Sequence, residues 1–183
     1  VITISGNSNY SIQELSQNAN INFKPTDLLY HVEDDSVVID SILLPSDLRS
    51  GSYLYVAASI EGLPVKTIGN GTPLMKQPND ISFGITLPST VTHVGDFAFV
   101  NCKGLSNVTT EYLESAGIDC FRGTVFQQNY EDKGSNLFIG NRILYRCFME
   151  EKVVELSGVS EIAADAFRSN HVIEQVIITN TDE

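Results

Sequence analysis

The sequence predicts an α/β solenoid, a coil in which short parallel strands alternate with short helical turns. One segment, residues 87–108, has similar segments downstream, spaced by about 22 residues or by a multiple of that length. Apolar and polar residues alternate over a few positions at the same phase of these segments, which is typical of half-buried strands. Because so short a unit cannot bury its own apolar face, neighbouring units must stack to form a core.

The clearest unit runs from Leu87 to Val108. About one repeat later its pattern returns at five positions, and roughly three repeats later at eight positions. The longer interval predicts a degenerate copy between Gly134 and Lys152. Upstream, Val65 to Gly69 carries the same Val-x-x-(Val/Ile)-Gly core and is expected to form a first, distorted turn. The downstream matches are Leu113, Ala116, Gly117, Cys120 and Phe121, and then Val159, Ile162, Ala163, Ala166, Phe167, Asn170, Ile173 and Val176.

The repeat phase gives specific structural expectations. The strands around Thr86 and Asn107 should pair in parallel. Ala98 should permit close approach of neighbouring coils, and Asp96 is placed to cap a short helix. Stacked units should also align the aromatic residues Phe99, Phe121 and Phe167.

The unit Leu87-Pro88-x-x-Val91-x-x-Val94-Gly95-Asp96-x-Ala98-Phe99-x-x-Cys102-x-x-Leu105-x-x-Val108 resembles the BspA-like leucine-rich repeat. Asn141 to Tyr145 resembles the short hairpin ending in Leu-Tyr that interrupts repeats of that family. Ile60 to Gly69 resembles the start of the family's repeat array. The resemblance implies a leucine-rich-repeat solenoid over residues 60–178, with one degenerate repeat near 134–152.

We expect residues 1–183 to form a single domain, since this length suits one core. Residues 1–59 have no repeat match, but they alternate like strands at Val37–Leu44 and Tyr53–Ala57, so we expect a β-rich N-terminal cap. A cap would cover the open end of a solenoid. At the other end, the apolar run from Val176 to Ile178 precedes a short polar tail, which predicts an uncapped last repeat.

The net charge of −12 opposes binding to nucleic acids and to anionic membranes. No apolar run approaches the roughly 20 residues of a membrane-spanning helix, so we expect no span in this chain. The sequence begins at Val1 without a signal pattern, and a signal or anchor is expected to be absent from it. Three widely spaced cysteines, Cys102, Cys120 and Cys147, are expected to be free and buried.

The sequence contains no recognisable pattern of catalytic or metal-binding residues. The three histidines, His31, His93 and His171, are isolated, so no metal site is predicted. His93, Asp96 and Cys102 are close in sequence, but closeness in sequence does not establish a nucleophile, base and orienter in space, and the family resemblance implies a buried turn for Cys102. The acidic segments 33–35 and 131–136 lack the spacing of a calcium loop and fit solvated turns. Glu150, Glu151 and Glu155 could suggest acid and base catalysis, but adjacent charges beside an apolar strand fit an exposed edge that discourages aggregation. Gly69 to Thr72 lacks the lysine of a phosphate loop. We predict no catalytic residue and no cofactor.

The resemblance implies a non-catalytic extracellular protein-interaction or adhesion module of a bacterial cell-surface or secreted protein, with a protein or glycan as partner. One alternative is a structural spacer or assembly unit that stacks through its C-terminal repeat, either against another domain or against a second copy of the chain as a homo-oligomer. A further alternative is an enzyme, which would need a convergent polar pocket that the sequence does not reveal. The predicted contact surface is one strand face, and its outward residues are Thr86, Asn107, Thr109, Asn129, Glu131, Glu155 and Gln175.

Overall fold

A computed structural model describes residues 20–23, 27–46, 48–75, 81–109 and 111–179. This part of the chain consists mainly of strands and turns, with a single α-helix. In chain order the elements are β1 (Asn20–Asn22), β2 (Leu28–Glu33), β3 (Ser36–Ile42), β4 (Ser52–Tyr55), β5 (Ser59–Ile60), β6 (Leu63–Ile68), β7 (Phe83–Thr86), β8 (His93–Val94), β9 (Leu105–Thr109), β10 (Ser115–Ala116), α1 (Val125–Glu131), β11 (Asn136–Ile139), β12 (Ile143–Cys147), β13 (Val153–Ser157), β14 (Glu161–Ile162) and β15 (Gln175–Thr179).

Four strands, β1, β4, β7 and β9, pair side by side in parallel and form what we call the first ladder. Each later strand of the ladder belongs to the next repeat unit of the chain, which we call a coil. The central residues Leu54, Ile85 and Val108 lie in one register and are buried, because alternate side chains of a strand point to one face. The predicted parallel pairing of the strands around Thr86 and Asn107 is confirmed.

A second ladder contains β3, β6, β8 and β10, again in parallel and in chain order. Ile39, Ile68 and Val94 occupy one buried register of this ladder. The glycine after each apolar position continues the ladder through its amide: Gly69 N–H donates to Ile39 O, and Gly95 N–H donates to Ile68 O, both at 2.8 Å. The apolar–Gly core of the repeat therefore forms a strand and its continuation.

Gly69 shows why small residues recur at this phase. Its φ of +91° lies in the left-handed region that glycine adopts readily. A Cβ at this position would lie 2.7 Å from Cβ of Ala98 in the next coil. The expected close approach at Ala98 is confirmed, and a larger residue at either position would force the coils apart.

The core is a continuous cluster of buried apolar side chains that runs through both ladders. Phe99 and Phe121 stack with ring centroids 5.6 Å apart and nearly parallel planes. Tyr145 meets Phe121 edge-on at 5.3 Å, and its hydroxyl accepts a 3.0 Å hydrogen bond from Phe121 N–H. The stack predicted for Phe99 and Phe121 is confirmed. Phe167 does not continue it, because it packs against a second cluster around Leu144.

The sequence predicts that Asp96 caps a short helix, but the structure shows no such cap. Residues 96–101 form consecutive turns, and no helix begins at this position. Asp96 Oδ1 instead accepts a 2.7 Å hydrogen bond from Ile118 N–H in the next coil. The side chain thus links neighbouring coils rather than satisfying amides of its own coil.

An antiparallel hairpin, β11 with β12, occupies the region where the resemblance implies one. Every residue of β12 is buried, and β12 pairs in parallel with β14. A second pair of hairpin strands, β2 with β3, precedes β4 near the other end of the described chain. β1 and β4, which lie within residues 1–59, belong to the first ladder. The division between a cap and repeats at residue 59 stays a prediction.

The helix α1 lies beside β9. Thr124 is its N-cap: the Thr124 hydroxyl accepts a 3.1 Å hydrogen bond from Gln127 N–H. Phe126 anchors the helix by packing edge-on against Phe121 at 5.3 Å. Within the helix, Phe126 also meets Tyr130, four residues on, edge-on at 5.9 Å. Within the described residues, no helix is long and apolar enough to cross a membrane.

Candidate binding face on the first ladder

The outward side of the first ladder presents two rows of side chains, which together we call the ladder face. Since successive residues of a strand point to opposite sides, the residues between the buried ones face outward. The first row is Asn20, Tyr53, Gly84 and Asn107, and the second row is Asn22, Tyr55, Thr86 and Thr109.

Three predicted contact residues, Thr86, Asn107 and Thr109, lie on the ladder face. Asn107 is exposed, and the two threonines are half-buried. Thr86 and Thr109 are direct partners in the parallel register, and Asn107 is two residues from Thr109 on the same strand. The structure therefore brings these three residues together.

The ladder face also contains residues that sequence reasoning did not place there. Asn20, Asn22, Tyr53 and Tyr55 come from β1 and β4, in the region expected to be a cap. The available signal was the alternation Tyr53-Leu54-Tyr55, whose central leucine shares the inward register of Ile85. These residues double the width of the predicted surface and add its aromatic rings.

Tyr53 lies across the glycine of the neighbouring strand. A Cβ at Gly84 would lie 2.6 Å from Tyr53 Cε1, 2.8 Å from Cδ1 and 3.3 Å from Cζ. The ring therefore occupies the space that a side chain at position 84 would need. Tyr53 is half-buried, so part of its side chain is accessible from solvent.

The polar groups of the ladder face are partly tied to one another. The Tyr55 hydroxyl donates a 3.3 Å hydrogen bond to Asn20 Oδ1 across the β1–β4 pair. At the start of the strands, Ser82 Oγ donates to Ser106 Oγ at 2.9 Å, and Ser106 Oγ donates to Phe83 O at 3.0 Å. These bonds limit side-chain motion before any ligand arrives.

None of the eight ladder-face residues carries a formal charge, although the whole chain has a net charge of −12. The surface consists of amide, hydroxyl and phenol groups, which both donate and accept hydrogen bonds. Its chemistry suits recognition by hydrogen bonding and aromatic contact rather than by ion pairing.

Comparison with known protein families shows which family the chain belongs to. The model of the BspA type leucine-rich repeat region matches residues 80–183, with 6 copies. The chain belongs to this BspA-type family. Stacked repeats of this kind form extended surfaces, which suggests a protein-interaction module.

Two solved structures are similar to this BspA-type chain. A leucine-rich repeat protein of T. pallidum is 19% identical, with 85% of this chain and 70% of that chain covered and a TM-score of 0.49. A leucine-rich repeat protein from Bacteroides ovatus is 18% identical, with 85% of this chain and 40% of that chain covered and a TM-score of 0.43. No curated protein matches the sequence.

Asn129 and Glu131 do not lie on a strand face of the BspA-type repeats. Both belong to α1, where they are exposed. Extrapolating the repeat from Asn107 and Thr109 placed them on a strand, but the Thr124 cap and the packing of Phe126 on Phe121 stabilise a helix here. Their inclusion in the predicted strand row was wrong.

Glu155 and Gln175 lie on strands, but on a separate two-stranded sheet formed by β13 and β15. Both are exposed. Glu155 pairs with Ile177, and Gln175 pairs with Val153, so the two predicted residues occupy different rows. The single row expected across all repeats is thus interrupted after β9.

His93 and Cys102 lie in different environments, one exposed and the other buried. His93 is exposed and shares a 2.6 Å hydrogen bond with Thr92 Oγ1, whereas the Cys102 thiol is buried 3.5 Å from Met75 Sδ. Burial raises the pKa of Cys102 to about 11, which keeps the thiol protonated at neutral pH. In the described residues no group of three or more metal-ligating side chains could hold a metal ion.

The main electrostatic cluster of the described chain is structural. Asp119 is buried, and Oδ2 accepts from Arg168 Nη1 at 2.6 Å and lies 3.2 Å from Arg122 Nε. Arg168 also lies 3.5 Å from Asp165 Oδ2, without a hydrogen bond between them. The cluster joins the coil of Asp119 to the coil of Asp165.

A half-open cavity of about 350 Å³ lies between the end of α1 and residues 168–172. Glu131, Arg146, Glu150, Arg168 and His171 contribute to its lining. Arg168 is committed to Asp119, and Arg146 Nη1 donates to Asp165 O at 2.8 Å. The cavity therefore mixes both signs of charge, and its basic groups already have structural partners.

Proposed function

We propose that this chain is a non-catalytic interaction or adhesion module of a bacterial cell-surface or secreted protein, and that the ladder face is its contact surface. The observation that carries the proposal is the alignment of eight uncharged polar, aromatic and glycine residues from four coils on one open sheet face. Stacked repeats commonly bind partners through such extended surfaces. The family resemblance supports placement of the protein outside the cell or on its surface.

A matched pair of asparagine variants tests this proposal. Asn107→Arg places a long charged side chain in the ladder face, and Asn141→Arg places it in the exposed turn between β11 and β12. The full chain and both variants are passed over immobilised extracellular-matrix glycoproteins and glycans. We expect the Asn107 variant to lose at least about tenfold in affinity for a bound ligand, because the new charge has no partner there.

Equal affinity of both variants and the parent chain would contradict the ladder face as the contact surface. Asn129→Arg is a useful third variant, because it probes α1. A loss confined to that variant would move the site to the helix.

A second candidate function is an assembly unit that stacks through its last coil. In the described residues β15 pairs with β13 alone, and Ile178 is 48% exposed while Ile162 is 37% exposed. Exposed apolar side chains beside an open strand edge favour association with another sheet. Ile177 pairs with the exposed Glu155 and faces outward, whereas Ile178 pairs with the buried Leu156. Because successive side chains of a strand alternate, Ile178 faces the core side of this last sheet.

Light scattering over a range of concentrations tests this second candidate. A concentration-dependent dimer that Ile178→Lys abolishes would support assembly through the last coil. A monomer at all concentrations, or a dimer that this variant leaves unchanged, would contradict it. Leu43→Lys is the matched control, since Leu43 is an exposed apolar residue that follows β3.

A further inference from the structure

From the geometry around Tyr53 we infer that the ladder face binds a neutral oligosaccharide, with the Tyr53 ring as its stacking platform. The inference rests on the proposed function, because it names the ligand class of the same face. It is carried by three features of the described residues: the ring position, the surrounding hydrogen-bonding groups and the absence of charge.

The position of the Tyr53 ring depends on Gly84. Three ring carbons lie within 3.3 Å of the point where a Cβ would stand, so the ring extends over the neighbouring strand rather than upright from its own. Gly84 has no positive φ that would require glycine for backbone reasons. Glycine is therefore needed here because it has no side chain. The space that a Cβ would fill is occupied by the Tyr53 ring, which lies along the sheet.

A ring laid along a surface offers an apolar platform beside polar groups, which is the amphipathic character of tyrosine. A sugar ring has a matching character, with C–H groups on its faces and hydroxyls around its edge. Asn107 follows Gly84 in the first row, and Tyr55 and Thr86 occupy the second row at the same strands. Their amide and hydroxyl groups can donate to and accept from sugar hydroxyls.

The charge pattern decides between classes of glycan. The eight ladder-face residues have no cation to pair with a sulfate or carboxylate, and the chain's net charge of −12 repels polyanions. An acidic glycan would lose its hydration without gaining an ion pair. A neutral oligosaccharide has no such cost.

A protein partner is the competing occupant of this face. Tyrosine, serine, glycine and asparagine also dominate antibody contact surfaces. Protein interfaces, however, usually gain specificity from charged groups and from anchors that fill pockets. The ladder face provides a flat ring and neutral groups, which favours the sugar.

The test uses the full chain and a panel of neutral glucose-, mannose-, galactose- and N-acetylglucosamine-based oligosaccharides, with sulfated and sialylated oligosaccharides as comparators. The sequence has no tryptophan to mask the emission of its 7 tyrosines. Binding is measured by calorimetry, and the part of the fluorescence change that Tyr53→Ala removes reports stacking on that ring. We expect a neutral oligosaccharide to bind and Tyr53→Ala to lower its affinity by about tenfold. Tyr112→Ala is the control, since Tyr112 is exposed on a turn outside the face.

Gly84→Ala is the second variant. Alanine suits the extended backbone, but its Cβ displaces the Tyr53 ring, so we expect weaker sugar binding with an unchanged unfolding midpoint. The inference is overturned if no neutral oligosaccharide binds, if only acidic ones bind, or if Tyr53→Ala and Gly84→Ala leave binding unchanged. A protein ligand that Asn107→Arg abolishes, without any sugar binding, would overturn this inference and leave the proposed function standing.

Discussion

Asp119 shows how a single buried residue holds coils together. Its carboxylate is 4% exposed and receives two guanidinium groups, whose own side chains are about half exposed. Asp119→Asn removes the charge from both contacts. Because the arginines can return to water, we expect a loss of about 1–3 kcal/mol in the free energy of unfolding.

Urea unfolding followed by circular dichroism measures this loss. Asp34→Asn is the control, because Asp34 is exposed in the turn between β2 and β3 at a φ of 44°, which asparagine tolerates. The control should stay within about 0.5 kcal/mol of the parent chain. Similar losses in both variants would contradict a special role for Asp119.

The buried thiols predict a dependence of stability on alkaline pH. Burial raises the pKa of Cys102 from 9.0 to about 11, and burial also raises the pKa of Cys120 and of Cys147. Above pH 9 the unfolded chain loses thiol protons that the folded chain retains. The contribution of Cys102 is therefore complete below about pH 9 and is lost as the pH rises towards 11.

The measurement is the urea midpoint at pH 8, 9, 10 and 11, for the parent chain and Cys102→Ala. The variant starts less stable, since it leaves a small cavity, but its midpoint should fall less steeply with pH. Parallel curves would show that Cys102 is not buried as a neutral thiol. At pH 8 the native thiols should also react with a disulfide reagent far more slowly than the unfolded chain.

At the scale of elements, the aromatic stack between coils predicts a large mutational effect. Phe121 is fully buried and contacts Phe99, Phe126 and Tyr145. Phe121→Ala should cost about 3–5 kcal/mol in the free energy of unfolding, because it opens a cavity where three elements meet. Phe138→Ala should cost only about 1 kcal/mol, because Phe138 is 36% exposed and its ring lies 5.7 Å from the Arg142 guanidinium, a cation–π contact of modest strength. Equal losses would argue against the stack as the link between coils.

The repeat period explains both the success and the failure of prediction at this scale. β7 and β9 are close to one period apart, so Thr86, Asn107 and Thr109 could be placed from spacing alone. The interval from Tyr53 to Gly84 is longer than the interval from Gly84 to Asn107, which hid β4 from a fixed period. After β9 the same period failed, because local capping at Thr124 replaces a strand by α1. Periodicity predicts repeats, while local hydrogen bonding decides each exception.

At the scale of the molecule, both ladders collect residues that are far apart in sequence. The ladder face unites residues from Asn20 to Thr109, and no contiguous motif encodes it. The phase of the repeat identified its later half, whereas the flat position of Tyr53 depends on a glycine one coil away. The sequence predicts the residue types of the ladder face, but it does not predict that the Tyr53 ring lies over Gly84.

The most direct test of the ladder face is a nitrogen-15 NMR titration of the full chain with the strongest-binding member of the oligosaccharide and glycoprotein panels. We expect amide shifts to concentrate in β4, β7 and β9 and Asn107→Arg to remove them. Shifts concentrated instead in α1, in β13 and β15, or in residues 168–172 would contradict this expectation.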